Sequence, residues 1–445
     1  MVDTQHTAGD AVPDGPGLAQ LLRLVWTMPR RGDAVFDDLF DRYGDVIWVS
    51  PPRLISWLVG TKVAFLRDPA LIKPLFTASA DDLSATEPHR LVDPFWGDRS
   101  VFLLDGPDHQ RLRKLMLPRL RGDALPQWRE LIVARTDQEV RGWADQPTVA
   151  VLPRMLELSL ELTLKVVISV PDSAMPQWKS AWRDLLTTAA SGQIALRAAL
   201  RSFGALRLSP RFQRELHRCD ALVFDEIARR RRHPEFEHHD VVDALMRANG
   251  KALSDSEIRH QVFAIMIGGY GPPATLASWA IERLVRTPHA LAAATAEARG
   301  GNDQLTYLNA VVQESLRLRP PFMYVTRHVR RPVSLGGRYF PGGTLIMAVI
   351  QSVHRHPDLY DDPDSFRPER FLQQRPTAYG LIPFGGGEHR CIADRLAIFE
   401  VTHMLATVLR SMNLAAVDPR DEPIRLESGV HVPGKGATVR ATRAI

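Results

Sequence analysis

The chain has 445 residues, of which 45% are hydrophobic and 24% charged. This balance is typical of a folded globular protein and excludes disordered and fibrous classes. Lys and Arg number 56 against 51 for Asp and Glu, a net charge of +5, which is too small an excess for a protein that binds nucleic acid over much of its surface.

The number of cysteines and the length of the apolar runs indicate the cellular compartment of the protein. The two cysteines, Cys219 and Cys391, cannot build a disulfide framework and fit a reducing compartment, so we expect a cytoplasmic protein. No apolar run reaches the about 18 residues that a membrane span needs. Residues 1–17 are polar and rich in Pro and Gly, so we predict a flexible tail without a signal peptide or membrane anchor.

Helical periodicity dominates the rest of the chain. Apolar residues recur at three- and four-residue spacing and predict helices over residues 107–120, 123–142, 154–169, 176–190, 211–232, 255–285 and 303–318. From about residue 322, short β-rich runs between glycine turns predict strands, and a last long helix is predicted from Cys391 to about Met412. Without repeats or a low-complexity linker, residues 18–445 are predicted to form one mainly α domain with a minor β part.

The most informative segment, residues 383–393, reads Pro-Phe-Gly-Gly-Gly-Glu-His-Arg-Cys-Ile-Ala. Its three glycines allow a tight bend and a close approach to a flat object. Cys391 then stands at the start of a predicted helix, where free amides and the helix dipole favour a thiolate. A thiolate on a glycine-lined bend is suited to bind iron as an axial ligand. The alternative for a lone cysteine in front of a helix is a small buried hydrophobic residue.

This segment resembles the haem-binding signature of the cytochrome P450 family. That signature is Phe, two residues, Gly, three residues and Cys, and Phe384, Gly387 and Cys391 match it. Gly385 and His389 also fit its common bacterial form. The resemblance implies a haem b cofactor with Cys391 as the axial iron ligand and as the catalytic thiolate. It further implies that Phe384, Gly385 and His389 belong to the cofactor-binding loop.

A second set of residues matches the family's structural motifs. Glu314 and Arg317 share a helix face, although such a pair by itself is mostly a solvated surface contact. Residues 366–371, Phe-Arg-Pro-Glu-Arg-Phe, match the element that follows this pair in the family. By resemblance, Glu314, Arg317 and Arg370 form a buried triad whose role is architectural and not catalytic.

Basic residues stand where the family binds the haem propionates. His109 and Arg113 are four residues apart and share a helix face, and Arg327 and His389 match further propionate partners. Each taken alone is more typical of a surface charge. The resemblance covers about residue 20 to the end of the chain and implies the P450 fold, with the haem between the central long helix and the helix after Cys391.

The central helix departs from the family pattern. Members usually carry an acid followed by a threonine above the haem, and these deliver the protons that oxygen activation requires. Here Gly271 and Pro272 take the two positions, and neither side chain can donate a proton. Pro272 and Pro273 also remove hydrogen bonds to carbonyls near Gly268 and Gly269, which predicts a kink or a widened groove.

Two nearby hydroxyls are alternatives for the missing relay. Thr275, one turn further on, could substitute only if a kink turned it inward. Tyr270 points in a different direction from Pro272 on a helix, and packing against a neighbouring helix explains it equally well.

Three functions remain open. The first is an oxygen-dependent monooxygenase in which the substrate or ordered water supplies protons. The second is a peroxide-dependent or non-monooxygenating enzyme of the same family, such as a peroxygenase, isomerase, dehydratase or coupling enzyme. The third is a haem-binding sensor without catalysis, which no appended effector segment supports.

The resemblance also implies a pocket and partners. Positions that face the distal haem side are apolar or small, so we expect a small hydrophobic substrate in a biosynthetic tailoring step, with core packing as the alternative for each residue. These positions are Phe95, Trp96, Val101, Phe102, Ala264, Ile267, Gly268, Gly271, Pro272, Phe322, Met323, Val325 and Val430. Electrons are expected from a separate ferredoxin and its reductase, and a modest basic patch around Arg111, Lys114 and the Cys391 loop would suit an acidic ferredoxin. We expect a monomer.

Overall fold

The computed structural model describes residues 15–17, 20, 27, 34–51, 62–92, 97–189, 209–248, 252–301, 304–374, 376–427 and 429–444. The predicted tail, residues 1–17, lies almost wholly outside them, as do Phe95 and Trp96 of the predicted pocket. The single domain over residues 18–445 stays a prediction. The described residues form mainly helices with a smaller β part, as the sequence predicts.

The predicted helices are all present, with ends displaced by at most three residues. The helices in chain order are α1 (Ala34–Tyr43), α2 (Pro69–Thr77), α3 (Gly106–Leu120), α4 (Ala124–Val140), α5 (Val151–Ile168), α6 (Met175–Ala189), α7 (Pro210–Arg232), α8 (Val241–Met246), α9 (Asp255–Arg286), α10 (Pro288–Arg299), α11 (Thr306–Leu318), α12 (Ile350–Val353), α13 (Arg370–Gln373) and α14 (Asp394–Ser411). The last helix begins at Asp394 and not at Cys391, so the cysteine belongs to the preceding loop.

The strands form one larger sheet and three small ones. They are β1 (Val46–Val49), β2 (Lys62–Leu66), β3 (Leu83–Ser84), β4 (Val149–Ala150), β5 (Tyr324–Val329), β6 (Val333–Leu335), β7 (Arg338–Phe340), β8 (Thr344–Val349), β9 (Met412–Ala416), β10 (Ile424–Glu427), β11 (Val430–Pro433) and β12 (Thr438–Arg443). The five-stranded sheet has the order β1-β2-β8-β5-β3, and only its β2–β8 pair is parallel. The others are β4-β12-β9 and the hairpins β6–β7 and β10–β11.

The 32-residue helix α9 is the centre of the helical core. Its start is fixed by a capping box, in which Ser254 and Glu257 each bond the other's backbone N–H. Helix α5 packs along it, and α11 and α14 contact it as well. Trp279 of α9 is fully buried. None of the helices in the described part of the chain is both long and apolar enough to cross a membrane.

Helix α9 continues through Pro272 and Pro273 without interruption. Pro273 has no N–H, so it cannot bond the carbonyl of Gly269 four residues earlier. Two hydroxyls of α5 take its place: Ser159 Oγ donates to the Gly269 carbonyl at 3.1 Å and Thr163 Oγ1 at 2.8 Å. Side chains of a neighbouring helix thus satisfy a carbonyl that the proline would otherwise leave buried and unpaired.

Glu314, Arg317 and Arg370 are brought together. Glu314 and Arg317 are fully buried, and Arg317 donates Nε and Nη2 to the two carboxylate oxygens at 2.7 and 2.8 Å. Arg370 Nε reaches the same carboxylate at 3.2 Å. Arg317 also donates to the carbonyls of Pro363 and Ser365. The ion pair therefore fastens α11 to the segment in front of α13.

Replacing Arg317 with Met should lower the free energy of unfolding by about 3–5 kcal/mol, because it leaves the buried Glu314 carboxylate without its cation. Chemical denaturation followed by circular dichroism measures this. Arg141→Met is the matched control, since Arg141 pairs with Asp137 on an exposed helix face and should cost less than about 0.5 kcal/mol. Equal effects of the two changes would contradict a structural role for the buried pair.

Gly269 permits the close approach of α5 to α9. A Cβ at this position would lie 2.8 Å from Thr163 Cγ2, whereas one at Gly271 would meet nothing within 4 Å. Gly269→Ala should therefore destabilise the protein by about 1–3 kcal/mol through overpacking. Gly271→Ala on the same helix should be neutral or stabilising by up to about 1 kcal/mol. Urea denaturation distinguishes the two, and a stable Gly269→Ala variant would show that the helices can separate freely.

Candidate active site

The loop in front of Cys391 depends on its glycines. Gly385 and Gly387 have φ angles of +65° and +66°, in the left-handed region that favours glycine. A Cβ on Gly387 would lie 2.0 Å from the Phe76 carbonyl oxygen, and one on Gly386 would lie 2.7 Å from the Phe76 ring. The loop is therefore pressed against the C-terminal end of α2, where no larger residue fits.

Backbone contacts hold Cys391 on this loop. Its N–H donates to the Phe384 carbonyl at 2.9 Å, so Phe384 of the predicted signature acts through its main chain. The Cys391 carbonyl lies 3.4 and 3.5 Å from guanidinium nitrogens of Arg121 and Arg113. The cysteine is partly exposed.

Asp394 fixes the position of the loop relative to α3. It is 2% exposed and stands at the first position of α14, where a carboxylate suits the helix dipole. It accepts from Arg121 Nη2 at 2.6 Å and from Arg390 Nε at 2.7 Å. One buried carboxylate therefore links the residue before Cys391, the helix after it and the end of α3.

Burial raises the pKa of the Cys391 thiol above its usual value, and the Ala393 N–H, Arg113 and Arg390 act in the opposite direction. A cation bound at the sulfur deprotonates it, as metal ions do to coordinating thiols.

Two arginines near the loop lack a carboxylate partner. Arg327 is 7% exposed, and its guanidinium donates to the carbonyls of Thr326 at 2.8 Å and Gly386 at 3.4 Å. Burial lowers the pKa of Arg327 to about 10. Within the described ranges neither Arg327 nor Arg113 forms an ion pair with a carboxylate. Buried cations of this kind favour an anionic ligand.

The predicted propionate histidines form a stacked pair. The rings of His109 and His389 lie 4.1 Å apart, His109 Nδ1 is 3.3 Å from Glu388 Oε1, and His389 Nε2 is 3.0 Å from Asp105 Oδ1. Burial lowers the pKa of His109 to about 4, and His389 adds to the effect. The assignment of His109 and His389 to the propionates stays a prediction.

Two residues of this region, His89 and Arg121, could not be predicted from the sequence. His89, in the 3₁₀ turn Glu87–Val92, lies near Arg327 and His389. Its pKa is lowered to about 4 by burial and by these two neighbours. Arg121 binds both the Cys391 carbonyl and Asp394. No spacing pattern marks either residue, although an acid at the start of α14 signals that a basic partner is needed.

The predicted pocket residues separate into an accessible group and a core group. Phe102 and Phe322 are 39% and 42% exposed. The apolar positions also contact one another in pairs. Phe322 and Val430 form an isolated β-bridge, a Cβ on Gly268 would lie 3.7 Å from Phe102, and a Cβ on Gly385 would lie 4.0 Å from Val325.

Core packing describes three other predicted positions. Ala264 and Val101 are buried in the main hydrophobic cluster, and Met323 is buried in a smaller cluster beside β1. Their side chains contact other core residues and not an accessible wall. Ile267 is half-buried on α9.

The α9 face at Gly271 has free space beside it and no proton donor of its own. A Cβ on Gly271 would meet nothing within 4 Å, and Pro272 is half-buried beside it. Thr275 is 1% exposed, and its hydroxyl has no hydrogen-bond partner among the residues that the structure covers. Tyr270 packs at the main hydrophobic cluster, near Glu157 and Arg183 of α5 and α6, so packing explains it.

The residues present fit a haem. Arg113 and Arg327 contact the Cys391 loop and have no carboxylate partner among the described residues, so they could bind two propionate carboxylates. Gly385 and Gly387 give the loop the bend that a flat ring requires. Val325 and Phe322 provide apolar surface close to the loop. His109 and His89 could donate N–H groups.

The comparisons with known proteins agree with this arrangement. The family model described as "Cytochrome P450" matches residues 13–440. "Putative cytochrome P450 137" of Mycobacterium tuberculosis is 36% identical over 383 residues, which cover 85% of this chain and 80% of that protein. "Putative cytochrome P450 135B1" of Mycobacterium bovis is 32% identical over 450 residues, covering 99% and 93%. "Putative cytochrome P450 138" of the same organism is 30% identical over 385 residues, covering 85% and 86%.

The matched region includes the signature loop, the triad and the central helix. The chain therefore belongs to the cytochrome P450 family, the haem-thiolate oxidoreductases that bind haem b through a cysteine thiolate.

Proposed function

We propose that this protein is a monooxygenase-type P450 that oxidises a small hydrophobic metabolite in a biosynthetic tailoring step. The observation that carries the proposal is the apolar surface that lies close to the Cys391 loop. A Cβ on Gly385 would touch Val325 of β5 at 4.0 Å, and Phe322 at the start of the same segment is exposed. A substrate bound there is held by apolar contacts beside the presented sulfur.

Cys391 is the residue that binds the iron in this proposal, and Arg113 and Arg327 bind the propionates. When bound, the haem supplies the oxidising chemistry. The protein's own residues orient the cofactor and exclude water. Asp394, through Arg121 and Arg390, keeps the sulfur in place. Phe102, Phe322 and Val430 cover the substrate.

Electrons are proposed to come from a ferredoxin and its reductase. Lys114 is exposed on α3, the helix whose Arg113 contacts the Cys391 loop. Arg390 next to the cysteine is partly exposed as well. A basic surface at the loop supports docking of an acidic partner by electrostatic steering.

A peroxide-dependent reaction is the second candidate. It is favoured by Gly271 and Pro272, which leave this face of α9 open and without an acid or a hydroxyl. Hydrogen peroxide already contains the two electrons and two protons that dioxygen must receive, so the reaction needs neither the usual relay nor a reductase.

Replacing Cys391 with Ala should abolish the haem-thiolate absorption spectrum, because no sulfur is then left on the loop. Ultraviolet–visible spectroscopy of the purified variant measures this. Cys219→Ala is the matched control, since Cys219 is fully buried on α7 and burial raises the pKa of its thiol. It should keep the spectrum. A thiolate spectrum that survives in Cys391→Ala would refute the assignment of the ligand.

The two oxidants can be separated by isotope labelling. Purified protein receives a hydrophobic metabolite extract with either ferredoxin, reductase, NADPH and labelled dioxygen, or hydrogen peroxide alone. We expect mass spectrometry to find label in a product under the first condition. Product under peroxide alone would replace the first candidate with the second.

The double change Gly271→Asp with Pro272→Thr tests the missing relay in the same assay. It restores an acid and a hydroxyl, so the fraction of electrons lost as hydrogen peroxide should fall severalfold. Unchanged coupling and products would show that the relay does not limit the reaction.

A further inference from the structure

A buried histidine directly after α12 has no role in the site described above. His354 is 0% exposed, and burial lowers the pKa of its imidazole to about 3. The ring is therefore neutral at neutral pH, with one nitrogen that donates a hydrogen bond and one that accepts. Such a ring can join two backbone segments in the protein interior.

The two ring nitrogens of His354 bind backbone groups of different elements. Nδ1 lies 3.2 Å from the Arg317 carbonyl oxygen on α11, and Nε2 lies 2.8 Å from the Ile382 backbone nitrogen. A carbonyl oxygen only accepts and an N–H only donates, so these partners place the hydrogen on Nδ1 and leave Nε2 as the acceptor. The ring thus links α11 to the chain that enters the Cys391 loop.

The α11 end of this link is held by the buried ion pair. Arg317 is fully buried and donates two hydrogen bonds to the Glu314 carboxylate. It also donates Nη1 to the His354 carbonyl oxygen at 3.1 Å. His354 and Arg317 are therefore bonded to each other twice, through the imidazole and through the guanidinium. A hydrogen-bond network satisfied in this way is rigid, so the imidazole has a fixed position from which to bind Ile382.

The Ile382 end leads to the cysteine through backbone hydrogen bonds. The Ile382 carbonyl accepts from the Gly385 N–H at 3.0 Å, and the Phe384 carbonyl accepts from the Cys391 N–H at 2.9 Å. Ile382 is 1% exposed, so its N–H has little access to water and depends on the imidazole. The glycines of the loop permit many backbone conformations, and these hydrogen bonds select one of them.

We propose that His354 is a positioning residue for Cys391, because its imidazole ties the loop that presents the sulfur to the buried Glu314–Arg317 pair. This inference rests on the proposed role of Cys391 as the iron ligand. His354 acts on the sulfur through the backbone that begins at Ile382. The acceptor at Nε2 is therefore the part of the ring that matters for the loop, and the donor at Nδ1 matters for α11.

Three substitutions separate the two ends of the ring. His354→Gln keeps an acceptor near the position of Nε2 and lacks the donor at Nδ1. His354→Asn keeps a donor near Nδ1 and lacks the acceptor for Ile382. His354→Phe lacks both. Should the Phe variant fail to fold, the comparison of Gln with Asn carries the test by itself.

The link to the loop is measured by hydrogen–deuterium exchange of the purified haem-loaded proteins, followed by mass spectrometry of the peptide that contains Ile382. The Ile382 amide should exchange at least about fivefold faster in His354→Asn and His354→Phe, because a buried hydrogen bond is lost. His354→Gln should exchange at the wild-type rate. Equal rates in His354→Asn and wild type would overturn the link.

The effect on the sulfur is measured from the absorption spectrum of the haem–carbon monoxide complex, which distinguishes a thiolate ligand from one that is protonated or lost. His354→Asn and His354→Phe should lose the thiolate form at least about fivefold faster than wild type, and His354→Gln should not. Leu308→Ala is the control for general destabilisation, since it truncates a fully buried side chain near the start of α11.

Two outcomes of the spectral experiment contradict different parts of the proposal. If Leu308→Ala loses the thiolate form as fast as His354→Asn, the effect is general and the positioning role is overturned. A wild-type protein without a haem-thiolate spectrum would overturn the assignment of Cys391 and with it the positioning role. The exchange of the Ile382 amide would still show whether His354 holds the loop.

Discussion

The ion pairs of Asp394 with Arg121 and Arg390 hold the segment on which the candidate active site is built. Asp394 is buried at the start of α14, and its two partners come from opposite sides of the cysteine loop. Because Gly385 and Gly387 give the loop backbone more conformational freedom than other residues would, it needs such an anchor to keep one geometry. The direction in which Cys391 presents its sulfur follows from this contact.

The charged side chains around the loop do not balance one another, and they leave two cations for an anionic ligand. Asp394 has two cations, whereas Arg327 and Arg113 find only backbone carbonyls within the described residues. Burial lowers the pKa values of His109 and His89 to about 4. The site thus offers two cations, which match the two carboxylates of a haem.

The paired prolines of α9 are accommodated by tertiary contacts. A proline inside a helix normally costs stability because a carbonyl loses its partner. Here Ser159 and Thr163 donate to the Gly269 carbonyl, and the absence of a side chain at Gly269 lets α5 approach closely enough to do so. Helix α5 therefore compensates for the hydrogen bond that Pro273 removes from α9.

The sequence by itself determined the helices and the glycine loop around Cys391, because periodicity and short motifs are local signals. The grouping of Glu314, Arg317 and Arg370 followed from the family resemblance, since Arg370 lies 56 residues from Glu314. Only the tertiary structure decided which charges are paired, since Arg121 and Asp394 come from separate elements that meet through packing. It also decided that α9 stays helical through its prolines. The Gly269 carbonyl, which loses its helical partner to proline, accepts a hydrogen bond from a residue 110 positions away. A local sequence pattern cannot predict such a contact.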